Sequence, residues 1–183
     1  AFNGVQITIP AAVAEGAGGA IVPAAQGEGL AESALHPSYT EITLTGYPVQ
    51  NGQSQAVIQV FPVAEYERMN QEARQRVQTL QAQLAQGPAA RDEEIAVLPV
   101  RSAAQVFRAQ VLRLESENSA GVRFVTQYAQ GLTPVTNEGV FYTYQGLTPD
   151  GAHWVSATLP VNAGFLAADA GSSGNPPAGG IPV

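Results

Sequence analysis

The sequence predicts an α+β fold: a single antiparallel sheet of about five to seven strands, one long amphipathic helix packed on it, and Gly/Pro-rich arms at both ends. Three observations carry this. Several short runs alternate apolar and polar residues between turn signals, the pattern of half-buried strands. One stretch, from about Val63 to Gln86, repeats its apolar residues at helical spacing instead. The segments 11–37 and 167–183 are rich in small residues and have little to bury. Together they imply one domain over 1–166, with a Gly-rich loop at 11–37, followed by a Gly/Ser/Pro-rich tail over 167–183.

"FNGVQITIP" alternates from Val5 to Ile9 and stops at Pro10, so it reads as a short first strand. Ala11 to Pro37 contains "GAGGAIVPAAQGEG", with five glycines. Apart from a brief strand at Ile21-Val22, it is expected to be loop, because glycine loses much backbone entropy in a regular element. A 27-residue loop in a compact domain is uncommon and often functional. It is either a partner contact or irregular chain wrapped over the sheet.

"YTEITLTGYPV" (Tyr39 to Val49) is a strand with one wet face, and "AVIQVFPV" is the strand returning from a turn at Asn51-Gly52. The helix follows. Pro62 sits where a first-turn proline is tolerated, and Glu65 and Glu67 suit the positive end of the helix dipole. Tyr66, Met69, Ala73, Val77, Leu80 and Leu84 form its apolar stripe, and Gly87-Pro88 ends it. Asp92, Glu93 and Glu94 read as a solvated acidic bend rather than a cation site, since no further ligand pattern surrounds them. Gln105 to Leu114 is helix by composition. The turn "ENSAG" and the alternating "VRFVTQY" after it favour a strand and its return.

"FYTYQGLTPDGAHWVSATLPV" (141–161) is a hairpin with Thr-Pro-Asp-Gly at its tip. A type I turn followed by a left-handed glycine would pair Thr148 with Ala152. By that register Tyr142, Tyr144 and Gly146 share a face with Trp154, Ser156 and Thr158, and Trp154 covers Gly146 across the strands. Tyr142, Tyr144 and Trp154 are then the candidate binding residues. They form either an exposed platform for a sugar or a partner's side chains, or packing under the helix. Asp150 is explained by turn chemistry, and an Asp150–His153 pair has no nucleophile motif beside it.

Composition narrows the function. The net charge is −7 with a pI near 4.7, so a basic face for nucleic acid is not expected. There is no cysteine, which excludes disulfides and thiolate chemistry, and no lysine, which excludes Schiff-base catalysis. No apolar run reaches the roughly 20 residues of a membrane-spanning helix. No nucleophile elbow, P-loop, HExxH or dinucleotide fingerprint occurs, so neither a catalytic residue, a metal nor a cofactor is expected. His36 reads as a solvated turn residue, and Glu115 and Glu117 as ordinary charges at a strand end.

The run "YAQ…PV.N….FYTYQGLT.DG…VSA.LPV", with the weaker "YPV…IQVFPVAEY" ahead of it, resembles an uncharacterised domain family of exported, often lipid-anchored, bacterial envelope proteins. The resemblance covers roughly residues 40 to 165. It implies an exported chain whose signal is already removed, and it brings no activity or site residue. The element order is also similar, in topology, to PsbP-like domains.

The leading expectation is a non-enzymatic envelope or extracellular domain that makes protein–protein contacts, with a protein partner or a second copy of itself. The alternatives are a carbohydrate or small-ligand module using the aromatic face, and a hydrolase with an unrecognised carboxylate site.

Overall fold

The computed structural model describes residues 1–49, 55–86 and 94–171. It is an α+β structure built on one seven-stranded sheet. The strands are β1 (Gly16–Val22), β2 (Tyr39–Thr45), β3 (Val57–Pro62), β4 (Ala104–Glu115), β5 (Ala120–Ala129), β6 (Phe141–Leu147) and β7 (His153–Pro160). Their spatial order is β1-β2-β3-β7-β6-β5-β4, and every neighbouring pair is antiparallel. The segment 105–114 is strand, as its turn and its return suggested. The Asn51-Gly52 turn, Gly87-Pro88, Asp92 and Glu93 lie outside the described residues, as does the tail from 172 onward.

The expected single helix is two helices, α1 (Val63–Met69) and α2 (Gln71–Gln86). The interruption is one residue, Asn70, whose backbone is extended. Asn70 closes α1 by donating its N–H to the Tyr66 carbonyl at 2.9 Å. It opens α2 by accepting from the Ala73 N–H at 2.8 Å through Oδ1, the bond of an N-cap. Its Nδ2 donates to the carbonyls of Glu32 and Leu35 at 2.7 and 3.1 Å. The Glu32 carboxylate also accepts from the N–H groups of Gln71 and Glu72, so the helix dipole and two free donors meet a negative charge there. A 3-10 turn at Glu32–Ala34 holds that glutamate in place.

The helices cover one sheet face. Val63, Tyr66, Ala73, Val77 and Leu80 pack on Phe61, Val122, Phe124, Leu147 and Trp154. An irregular strap, 95–100, is buried in the same layer. The Gln83 side chain, at a buried position in the helical stripe, ties the strap to α2 by bonding the Glu94 carbonyl and the Ala96 N–H. No helix among the described residues is long and apolar enough to cross a membrane.

Three further expectations are corrected. Val5 to Ile9 is not a strand of the sheet. Val5, Ile7 and Ile9 lie against Ile42, Leu44 and Ala56 on the face away from the helices. Their alternation is that of an extended segment with one side docked. "GAGGAIV" is not loop but the edge strand β1, paired along its whole length with β2. The Phe2 ring lies where a side chain on Gly19 would stand, so glycine there serves close packing. The third correction is the hairpin register.

Thr148 closes on His153, not on Ala152: the Thr148 N–H donates to the His153 carbonyl at 3.0 Å. The loop is one residue longer because side chains satisfy its donors. Asp150 Oδ1 accepts from Ala152 N–H at 3.0 Å, and Thr148 Oγ1 accepts from His153 N–H at 3.0 Å. The Ala152 carbonyl is taken by Val63 N–H at the start of α1. Gly151 has the expected positive φ of 69°. The strand register is then Gly146↔Val155 and Leu147↔Trp154, and a one-residue shift exchanges the faces.

Candidate functional site

The shifted register separates the three aromatic candidates. Trp154 shares the helix-covered face with Leu147 and Gln145 and is 0% exposed. Tyr142 and Tyr144 are on the opposite face and half-buried. No three-ring platform exists. The device of an aromatic ring over a glycine is present with a different ring. Tyr144 lies back over Gly146 and Gly121, whose missing Cβ positions fall on its ring and hydroxyl. Its hydroxyl donates to Ser119 Oγ at 2.8 Å. Tyr142 faces the Arg123 guanidinium at 5.8 Å. With Leu112, which is 46% exposed, and Leu114, they make a mixed apolar surface on β4, β5 and β6.

Beneath Trp154 lies a closed polar network. Gln145 Oε1 accepts from Trp154 Nε1 at 2.7 Å and from the Leu98 N–H of the strap at 3.1 Å. Gln145 Nε2 donates to Thr143 Oγ1 and Ser156 Oγ at 2.8 and 2.9 Å. Thr143 in turn donates to the Ala157 carbonyl at 2.7 Å. All four Gln145 side-chain bonds are satisfied in the core, so the network has a structural role.

Two edges end the sheet, and they differ. On β4 the pairing slips at two places, Gln105/Phe107 and Ala109/Leu112. Gln110, within the second slip, has φ of 53°, and Arg108, Arg113 and Glu115 stand along the strand. Bulges and charges are devices that blunt an edge. β1 carries none of them. It has no charged residue and no proline, pairs with β2 without a register shift, and exposes its five central residues. Its one large side chain, Ile21, is 56% exposed. Among the described residues nothing pairs with its outer side.

Two clefts carry charged groups of interest. One, of about 570 Å³, lies where α2 meets the β4–β5 and β6–β7 turns and is lined by Glu115, Glu117 and Asp150. These carboxylates are exposed. Hydrogen bonds from Thr148 and from the Ala152 N–H hold Asp150 below the usual carboxylate range, opposite to the direction a general acid needs. The other cleft, of about 430 Å³, lies by the 3-10 turn and is lined by Arg101, Ser33, Ser102, Tyr128 and Gln130 among others. His153 is exposed at the hairpin, and His36 Nδ1 lies 2.9 Å from the Pro37 carbonyl. Among the described residues no group of three or more His, Asp or Glu is placed to hold a metal ion.

These features define an open-sheet α+β domain with one unguarded edge and one partly uncovered face. No family model, no curated protein and no solved structure matches the chain. Sequence reasoning missed β1 and Arg101. The signal for β1 was seven residues without charge or proline, masked by the glycine content and set apart from its partner strand by the segment 23–38.

Proposed function

We propose that this chain is a non-enzymatic protein-binding domain of an exported bacterial envelope or extracellular protein, and that β1 takes up an extended segment of a partner as a further strand. The observation that carries this is the contrast between the edges: β4 is bulged and charged, whereas β1 is paired without a bulge, uncharged and exposed over five residues. Free N–H and C=O groups on such an edge recognise a strand through main-chain hydrogen bonds. The occupant is a basic segment. The first 49 residues hold four glutamates (Glu15, Glu28, Glu32 and Glu41) and no arginine. Glu15 directly precedes β1, and Glu41 pairs with Ala20 of β1. The envelope setting draws on the low-charge composition and on the resemblance carried by residues 40 to 165.

A carbohydrate-binding reading retains Tyr142 and Tyr144 and loses Trp154. Tyr144 is also fastened over Gly146 and Gly121, which leaves Tyr142 as the free ring. The strand-addition reading is the better supported.

Fluorescence anisotropy with labelled extended peptides of alternating Val/Thr, flanked by Arg or by Glu, tests the proposal. Arg-flanked peptides bind, Glu-flanked ones do not, and Ile21→Lys weakens binding roughly tenfold, since lysine on an edge repels a basic strand. Equal binding of both peptide sets, or none by either, contradicts it.

A further inference from the structure

Arg101 is a largely buried cation that forms no ion pair among the described residues, in a chain with a net charge of −7. Its Nε is buried without a hydrogen-bond partner. Buried donors are nearly always satisfied, so an orphan on a partly buried side chain that lines a cleft asks for a missing partner. The comparison with Arg113 is direct: that side chain also has an unpaired Nε, but its guanidinium meets Glu115.

The aromatic pair Tyr128 and Phe141 positions the cation. Their rings are stacked at 6.3 Å with an interplanar angle of 20°. The Arg101 guanidinium carbon lies 5.3 and 4.9 Å from the two ring centres. An aromatic surface holds a guanidinium without occupying its N–H groups, which leaves them for an in-plane acceptor. The cleft Arg101 lines is also lined by Ser33, Ser102 and Tyr128. Tyr128 Oη already accepts from Gln105 Nε2 at 3.3 Å, so its own O–H is free to donate.

We propose that this cleft is a carboxylate-binding site, in which the Arg101 guanidinium receives one carboxylate of a small organic acid and Tyr128 or Ser102 donates to the same group. A monoanion fits better than a dianion, because the cleft offers one cation. A carboxylate also matches the planar donor fork of arginine. The cleft volume of about 430 Å³ is within the range of small-ligand sites. The site is separate from β1 and does not depend on the strand-addition reading.

The test is an NMR titration of the full chain, following the Arg101 Nε–Hε resonance. The probes are acetate, propionate and benzoate, with the matching neutral amides and inorganic phosphate as comparisons. Carboxylates are expected to shift the resonance saturably, with Kd on the order of 1 mM, and the amides are expected to leave it unmoved. Arg101→Lys, which keeps the charge and loses the fork, weakens binding roughly tenfold, followed in both proteins through the backbone amides of Ser102 and Tyr128 in the same cleft. Titration of the wild type needs no variant, so a folding defect in the variant leaves the outcome readable. Three results overturn the proposal: no saturable shift up to roughly 100 mM, a hundred times the expected Kd; a response to phosphate equal to that of the carboxylates; or unchanged affinity in Arg101→Lys.

Discussion

The indole Nε1 of Trp154 donates to Oε1 of Gln145 at 2.7 Å, and both side chains are 0% exposed. The bond joins β7 to β6 one residue from where the turn chemistry alone placed it. It fixes Trp154 under the helices. Gln145→Leu strands the indole donor and the Leu98 N–H together, which costs about 2–6 kcal/mol at roughly 1–3 for each buried unsatisfied group. Denaturant titration of the variant checks this. Trp154 emission in the wild type is expected to be insensitive to acrylamide and to any glycan.

Tyr144 and Gly146 form a second coupled pair. A methyl on Gly146 would fall 2.4 Å from the Tyr144 hydroxyl. Gly146→Ala is expected to cost about 1–3 kcal/mol through overpacking. The same change in a Tyr144→Ala background is expected to cost clearly less. Additive costs in this double-mutant cycle would show that the ring does not lie over the glycine.

Asn70 unites two helix ends and the 3-10 turn, closing α1 through its backbone N–H and joining α2 to the turn through its side chain. Asn70→Ala removes the N-cap of α2 and both bonds to the Glu32 and Leu35 carbonyls. A loss of about 2–3 kcal/mol is expected, more than for a surface cap. Thermal unfolding monitored by circular dichroism gives the value.

Alkaline pH provides a further check. Burial pushes the phenols of Tyr66 and Tyr128 up to about 12. The folded chain therefore holds these protons more tightly than the unfolded chain, where phenols titrate near 10. Their contribution to stability is intact below pH about 10 and is lost as pH rises toward about 12. Absorbance of the phenolate should show both tyrosines ionising last, or together with unfolding. Phe substitutions at either position flatten that decline.

Much of the sheet was legible because alternation and turns are local. β2, β3, β5, β6 and β7 announce themselves by period, and β4 by the turn after it. What escaped has non-local causes. The hairpin register rests on how Thr148 and Asp150 share the donors of Ala152 and His153, and on the Ala152 carbonyl serving α1. The helix break at Asn70 rests on carbonyls of residues 32 and 35, far away in sequence. β1 forms because β2 offers it an edge and Phe2 needs the space over Gly19, against the preference of its own residues. The carboxylate cleft depends on Arg101, Tyr128 and Phe141 meeting across three segments, and composition carries no trace of that. Tyr142 and Tyr144 fall on one face and Trp154 on the other for the single reason that one residue of register exchanges faces.

Strand addition requires that β1 is an open edge. Its most direct test is amide hydrogen exchange of Gly16–Val22, read residue by residue with and without the Arg-flanked peptide. Fast exchange is expected at alternate positions in the free chain, where N–H groups point away from β2. Protection of those positions is expected on adding the peptide, weakening with salt. Uniform protection of β1 in the free chain, or exchange that the bound peptide leaves unchanged, would contradict it.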